Sequence, residues 1–258
     1  MKVSIITVSF NSASTIEDTI KSVLSQNYKD IEYIIIDGDS TDGTNDILKK
    51  YEDNISTVIS ETDNGIYDAM NKGLAVSTGD VVGCLNADDY YADEYVVSRI
   101  AAAFDQNAPQ AVYGDLVYVD RTNVDKIVRY WQADTYKQGN FYLGWVPPHP
   151  TFYCRRDLFE QYGLYRTDYR VAADFELMLR FMEKHHIKVS YIPDTLVHMR
   201  IGGKANTWAG ILRGNREIIR AFKANGLNFP WKIFWYKPYL KLKQYLTKPK
   251  SQTTDTKA

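Results

Sequence analysis

The residues best suited to chemistry in this 258-residue chain are acidic, and they occur in short groups. Asp37-Gly38-Asp39 follows a β-branched stretch that ends at Ile36. Glu61-Thr62-Asp63 and Asn86-Ala87-Asp88-Asp89 follow two more such stretches. Carboxylates gathered at one edge repel each other unless a cation neutralises them. A hard divalent ion such as Mg2+ is held by one or two carboxylates together with substrate phosphates. Asp88-Asp89 therefore reads as a metal and diphosphate platform, the alternative being a simple cap on the following helix.

These groups need elements that bring them to one place. Lys2 to Val8, Ile31 to Ile36, Ile55 to Ser60 and Asp80 to Leu85 read as strands, the first continuous and β-branched and the second of the same kind, as strands buried on both faces are. Between them, helical spacing predicts helices from a capping box at Ser14-Thr15-Ile16-Glu17, over Asp42 to Tyr51, over Gly65 to Val76 and over Tyr95 to Phe104. Alternating strands and helices imply a parallel sheet with helices on both faces. Such sheets bind ligands beyond the carboxyl ends of their strands, which is where the acidic groups fall. The second half is less regular. It predicts strands over Ala111 to Val119, Lys126 to Gln132 and Ile187 to Ile192, and helices over Asp157 to Tyr162, Ala172 to His185 and Ala209 to Ala224. Loops are expected at Phe141 to Pro150 and Ile201 to Asn206.

Taken together, Thr7-Val8-Ser9-Phe10-Asn11, Asp37-Gly38-Asp39-Ser40-Thr41-Asp42-Gly43-Thr44, Gly65-Ile66-Tyr67-Asp68-Ala69-Met70-Asn71-Lys72-Gly73, Gly79-Asp80 and Leu85-Asn86-Ala87-Asp88-Asp89 resemble the start of a family 2 glycosyltransferase with a GT-A fold. The resemblance is specific over the first ninety residues or so and weaker as far as Gly203. It implies that Thr7, Val8, Ser9 and Asn11 line a nucleotide-sugar pocket with Asp37, Asp39, Lys72, Asn86 and Ala87. It also implies that Asp88, Asp89 and His198 hold Mg2+ or Mn2+. The family's general base falls in an acidic-aromatic pattern at the start of a helix, matched here by Asp174 in Ala173-Asp174-Phe175-Glu176, with Arg180 following. The helix dipole favours the charged form a base needs. Glu176 projects elsewhere and is a poor partner for a glycosidase-type carboxylate pair. His149, Trp145 and Arg200 are implied on the acceptor side, with Tyr142 as a further ring for a sugar to stack on. Core packing is the other reading for Trp145 and Tyr142, as a solvated helix position is for Lys72. Two departures from the family pattern stand out: Asn86 occupies a position often held by Asp, and Gly38-Asp39 replaces the usual Asp-Gly.

Composition narrows the classes. With 31 Lys+Arg against 32 Asp+Glu, the net charge of −1 argues against a nucleic-acid partner. Two cysteines make no disulfide framework and lack metal-ligand spacing. No apolar run is long enough to span a membrane, and the N-terminus does not read as a signal peptide, so the location expected is cytoplasmic, either free or peripheral on the cytoplasmic face of a membrane. From Ile218 to Thr254 there is no Asp or Glu, while Lys and aromatic residues alternate. That suits an anionic membrane surface touched through 229–250, or else an amphipathic helix packed on this domain or a second subunit.

The expectation is thus an α/β chain with a GT-A-like, mostly parallel central sheet, helices on both faces and a basic aromatic C-terminal helical tail. Its domain would cover 1–217, with the nucleotide-sugar half at about 1–110 and the acceptor half at 111–217, followed by an extension over 218–258. The expected activity is metal-dependent, inverting transfer of a sugar from a nucleotide-sugar donor to a glycan or lipid-linked glycan in surface polysaccharide synthesis. A dehydrogenase is disfavoured because no G-x-G-x-x-G follows the first strand, and a nucleotidyltransferase because no Gly-rich phosphate loop does. A degenerate donor- or glycan-binding scaffold is the non-enzyme alternative, supported by Asn86.

Overall fold

The computed structural model describes residues 1–106, 108–202 and 208–247. Strand β1 (Val3–Ser9) lies between β2 (Ile31–Asp37) and β4 (Val81–Cys84), parallel to both, with β3 (Thr57–Ser60) outside β2. Helices α1 (Ile16–Leu24), α2 (Thr44–Lys50) and α3 (Ile66–Val76) connect them. The mostly apolar runs have a simple cause. Ile6, Val8, Ile34 and Ile36 face one core with Met70 and Leu74 of α3. Val3, Ile5, Tyr33 and Ile35 face a second core with Ile16, Ile20 and Val23 of α1. The period of two deals alternate side chains to opposite cores, so both faces are mostly apolar, and the buried polar exceptions Ser4, Thr7 and Glu32 are hydrogen-bonded within the fold. Gly73 lets α3 press onto β1, since a Cβ there would lie 2.5 Å from Ile6 Cγ2.

The C-terminal half turns the same sheet mixed. After β5 (Asp89–Tyr91) and α4 (Val96–Asp105), the long β6 (Ala111–Val119) pairs with β7 (Ile127–Trp131) as a hairpin. Strand β8 (Tyr153–Arg155) runs antiparallel between β4 and β6, joining the two halves. Helix α5 (Asp157–Tyr162) follows, then α6 (Ala173–Met178), which continues as a π-helical stretch over Leu179–Lys184. Strand β9 (Val189–Arg200) runs parallel to β6 and pairs antiparallel with β5, completing a sheet of nine strands. The α/β expectation, with helices on both faces, is met.

The differences have local causes. The Thr15 side chain makes no cap bond to α1, so the capping box does not form. Strand β9 extends well beyond Ile192, because Gly114 pairs with Ile192 and Asp115 with Thr195. Pro193 and Asp194 bulge out of the ladder between them, which is how a strand carries a proline without losing its neighbours. The short β5 and β8 had no periodic signal of their own.

Helix α7 (Trp208–Ala224) runs through position 217/218 and buries Glu217, Ile218, Ala221 and Phe222 on both sides of it. Helix α8 (Ile233–Leu246) packs against β7. Its Ile233 is buried, while Trp235 is 81% exposed and Leu242 60% exposed, a helical turn apart from each other twice over, and Trp231 just before the helix is 71% exposed. Among the described residues no helix is long and apolar enough to cross a membrane. The loop expected over 201–206 lies mostly outside the described residues, as does the end of the tail.

Candidate active site

The carboxyl ends of β1, β2 and β4 lie side by side, so the loops after them form one rim. Asp37 closes β2, is fully buried and is spent on this rim's own architecture. Its Oδ1 accepts from the hydroxyls of Ser9 at 2.8 Å and Ser40 at 2.6 Å. Its Oδ2 accepts from the Ser40 amide and the Ser60 hydroxyl, both at 2.9 Å. Two oxygens offer about four acceptor sites, so none is left for a base or ribose. Contrary to expectation, Asp37 ties three strand ends together.

Asp39, by contrast, is exposed, with φ at 63°. Asn11 also has positive φ, at 51°, and bridges the first two loops by donating its amide to Ser40 Oγ at 2.8 Å and accepting from the Thr41 amide at 3.0 Å. Gly38, in the second departure from the family pattern, sits close to Asp63, since a Cβ there would lie 2.6 Å from Asp63 Oδ2. An aspartate in that place would also set two carboxylates against each other. Phe10, Asn11 and Asp39 are among the exposed members of the rim. Thr7 turns inward to Tyr33, its hydroxyl 3.2 Å from the phenol oxygen. Val8 is in the core.

The segment after β4 is the most electrostatically loaded part of the rim. Ala87 is buried. Burial lifts the half-buried Asp88 carboxyl above its ordinary range, against the pull of Arg121 and Arg200. Burial, then the nearby Asp88 charge, lifts Asp89 well above. Asn86 donates its amide to Asp89 Oδ2 at 3.1 Å, yet Asn86 Oδ1 and Asp89 Oδ1 are both buried without a hydrogen-bond partner. Orphaned buried oxygens are costly, and beside a desolvated carboxylate they suit a hard oxygen-seeking cation. The donor set thus fits Mg2+ or Mn2+ in chemistry, through Asp88 and its neighbours.

His198 does not join them. It pairs with Tyr90 across β5 and β9 and packs edge-on to that ring at 5.1 Å, while Asp89 pairs with Met199. Alternation along β5 sends Asp89 to the opposite face. Among the described residues no three His, Cys, Asp or Glu side chains form a group that could hold a metal ion.

Asp174 stands in the first turn of α6 and is half-buried. Tyr67 of α3 donates its hydroxyl to Asp174 Oδ1 at 3.2 Å, linking the N-terminal half to the C-terminal one. The Tyr67 ring stacks on Tyr165 at 6.0 Å. Tyr165 in turn shares a 2.9 Å hydrogen bond with His149 Nε2 and reaches Cys84 at the end of β4. Burial lowers the His149 pKa, with the Asp174 charge opposing it. Burial, reinforced by Asp174, holds the Tyr67 phenol well above its usual range. Asp174, Tyr67, Tyr165 and His149 thus form one cluster beside the rim. Tyr67 lies within a motif the sequence singled out, although its role was not read there, and Tyr165 carries no local signal. Glu176 points away, buried in an ion pair with Arg180 at 3.0 Å and accepting from Asn225.

Contacts place four more of the residues singled out from the sequence. Lys72 is held by Glu61 at 2.7 Å and by the Thr62 carbonyl at 2.8 Å. Trp145 sits among Tyr113, Tyr136 and Phe141 and donates its indole N–H to the Ala133 carbonyl. Tyr142 likewise packs on Phe222. Arg200 is buried rather than offered to an acceptor: it pairs with Asp18 of α1, donates to the Asp88 carbonyl at 2.8 Å and covers Tyr90. Its position makes it a brace for the Asp88 loop.

Comparisons with known proteins agree with this geometry. The family described as Glycosyl transferase family 2 matches residues 4–163. A PGL/p-HBAD biosynthesis glycosyltransferase of Mycobacterium bovis is 28% identical over 209 residues, 79% of each chain. A putative teichuronic acid biosynthesis glycosyltransferase of Bacillus subtilis, TuaG, is 36% identical over 138 residues, 52% of this chain and 55% of that one. Among solved structures, S. aureus TarS 1-349 in complex with UDP-GlcNAc superposes with a TM-score of 0.69 at 17% identity, covering 93% of this chain and 70% of the other. The Pyrobaculum calidifontis mannosyltransferase PcManGT, in complex with GDP-Man and Mn2+, gives 0.65 at 18%, covering 93% and 69%. At such identities the structures speak for the fold alone. The family match spans more than half of the sequence, and this chain is a glycosyltransferase belonging to family 2.

Proposed function

We propose that the chain transfers a sugar from a nucleotide-sugar to an acceptor hydroxyl in one displacement with inversion, using Asp174 as the base. The observation that carries this reading is the half-buried carboxylate of Asp174, oriented by Tyr67 of the N-terminal half. Glu176, its nearest candidate partner in sequence, is locked to Arg180. As the acceptor oxygen bonds to the anomeric carbon, the bond from that carbon to the diphosphate breaks. The acceptor proton passes to Asp174, and the nucleoside diphosphate leaves with the bonding electrons. The exposed rim of Phe10, Asn11 and Asp39 takes the nucleoside. Asp88, with Asn86 and Asp89, would hold Mg2+ or Mn2+, which when bound offsets charge on the leaving diphosphate.

The names of the mycobacterial and Bacillus relatives support an acceptor in cell-surface glycan synthesis, lipid-linked in our reading. Exposed Trp231, Trp235 and Leu242, in a stretch with no acidic residue, support peripheral contact with an anionic membrane surface. A donor screen tests the core of the proposal. Thermal midpoints are measured with UDP-, GDP-, CMP- and dTDP-sugars, each with Mn2+, with Mg2+ and with EDTA. One nucleotide class should raise the midpoint, and EDTA should abolish the rise. A folded protein indifferent to all of them overturns the proposal.

A further inference from the structure

The segment leading into α6 is gripped from α7. Glu217 Oε1 accepts from the Arg170 amide at 2.9 Å, and Oε2 accepts from the amides of Val171 at 2.9 Å and Ala172 at 2.8 Å. Three consecutive backbone N–H groups thus converge on one buried carboxylate. Hydrogen bonds to an ionised acceptor are roughly twice as strong as neutral ones, and two oxygens are needed to take all three. Ala172 is the residue before α6, and its carbonyl accepts the Glu176 amide at 3.0 Å, opening the helix. Asp174 lies two residues further on.

The same strap reaches Asp174's other partner. The Arg170 guanidinium donates to the Asn64 carbonyl at 3.0 Å, just before α3, whose Tyr67 donates to Asp174. Helix α7 is itself seated by Phe222, which packs on Phe175 of α6 at 6.0 Å. Glu217 therefore fixes both the start of the helix that carries Asp174 and, through Arg170, the loop leading into the helix that carries its hydrogen-bond donor. Its hydrogen bonds run to the backbone of 170–172.

We propose that Glu217 is a positioning residue for transfer, acting through Asp174. This rests on Asp174 being the base. Glu217→Gln keeps the shape but turns an N–H donor toward one of the three amides. A displacement of about 1 Å at the base can cost on the order of 100-fold in rate.

The test uses the full chain with UDP-GlcNAc or GDP-mannose and Mn2+, reading release of UDP or GDP to water. Glu217→Gln should lower kcat by about 10- to 100-fold with donor KM little changed, and Glu217→Asp, which keeps the charge, should recover part of the loss. Combined with Asp174→Asn, Glu217→Gln should add no further loss, because both act at one group. Hydrogen exchange should speed up at the amides of Arg170, Val171 and Ala172 but not at 85–89. Losses that multiply in the double variant, a rise in donor KM alone, or unchanged exchange at the three amides would overturn the proposal. If Asp174→Asn turns over normally, the base reading fails. If it is impaired while Glu217→Gln is not, the positioning role alone fails. Should Glu217→Gln not fold, Glu217→Asp is put through the same double-variant comparison.

Discussion

The N-terminal strand edge and the C-terminal half solve the same problem in opposite ways. At the N-terminal edge, side chains are placed by neighbouring strand ends: Asp37 is bound by Ser9, Ser40 and Ser60 from β1, the loop after β2, and β3. In the C-terminal half, Asp174 depends on distant elements, with Tyr67 coming from 107 positions earlier. Parallel strands bring loop ends together by topology alone. An irregular half has no such edge and relies on single long-range contacts. Substitutions should therefore fail differently in the two halves: at the N-terminal edge stability and binding are lost, and in the C-terminal half turnover is lost.

The largest effect outside Asp174 is expected at the acidic segment. Asp88→Asn should cut donor turnover by about 100-fold or more and weaken Mn2+-dependent donor binding. A variant that keeps full turnover and metal response would remove the acidic segment from the donor site. Asp37→Ala should instead act on stability, by about 3 kcal/mol, because three hydroxyls and an amide lose their acceptor in a buried place. Denaturant unfolding reads it, and an unchanged midpoint with impaired donor affinity would return Asp37 to the role its sequence suggested.

A smaller effect lies at the opposite end of the same strands. Burial works to raise the Glu32 carboxyl, but hydrogen bonds from Lys2, Ser4 and Thr78 outweigh it and hold it at about 2. The stability it contributes is present above its unfolded value of 4.5 and is lost as pH falls through about 2. Glu32→Gln should cost about 1–2 kcal/mol at neutral pH and flatten the acid side of the stability profile. Equal losses at pH 7 and pH 2 would contradict it. The smallest effect is expected on the tail. Trp235→Ser should lower binding to phosphatidylglycerol-containing vesicles by about tenfold and leave donor affinity alone. Equal binding of both forms, or binding insensitive to salt, would detach the tail from the membrane reading.

Legibility in the sequence followed the same division. The first four strands and their helices were readable because short, mostly apolar β-branched stretches alternate with helical spacing. The pairing of Asp88 and Asp89 with a strand end was readable for the same reason. What was not readable was which carboxylates remain available. Asp37 and Asp39 look alike in sequence, and only the convergence of three serines separates them. His198 followed a stretch that seemed to end at Pro193, but the bulge at Pro193-Asp194 carries the strand on and sets its ring against Tyr90. Trp145 and Arg200 have the chemistry of ligand-binding residues, and long-range packing decides otherwise. Tyr165 and Glu217 are isolated residues in sequence, and no spacing rule could join them to Asp174.

The central claim is that Asp174 serves the reaction and not the donor. The most direct test compares wild type and Asp174→Asn in donor-induced thermal shift and in release of nucleoside diphosphate from the same donor. The account predicts an unchanged shift with release reduced by about 100-fold or more. Release at the wild-type rate, or a donor shift lost together with release, would contradict it.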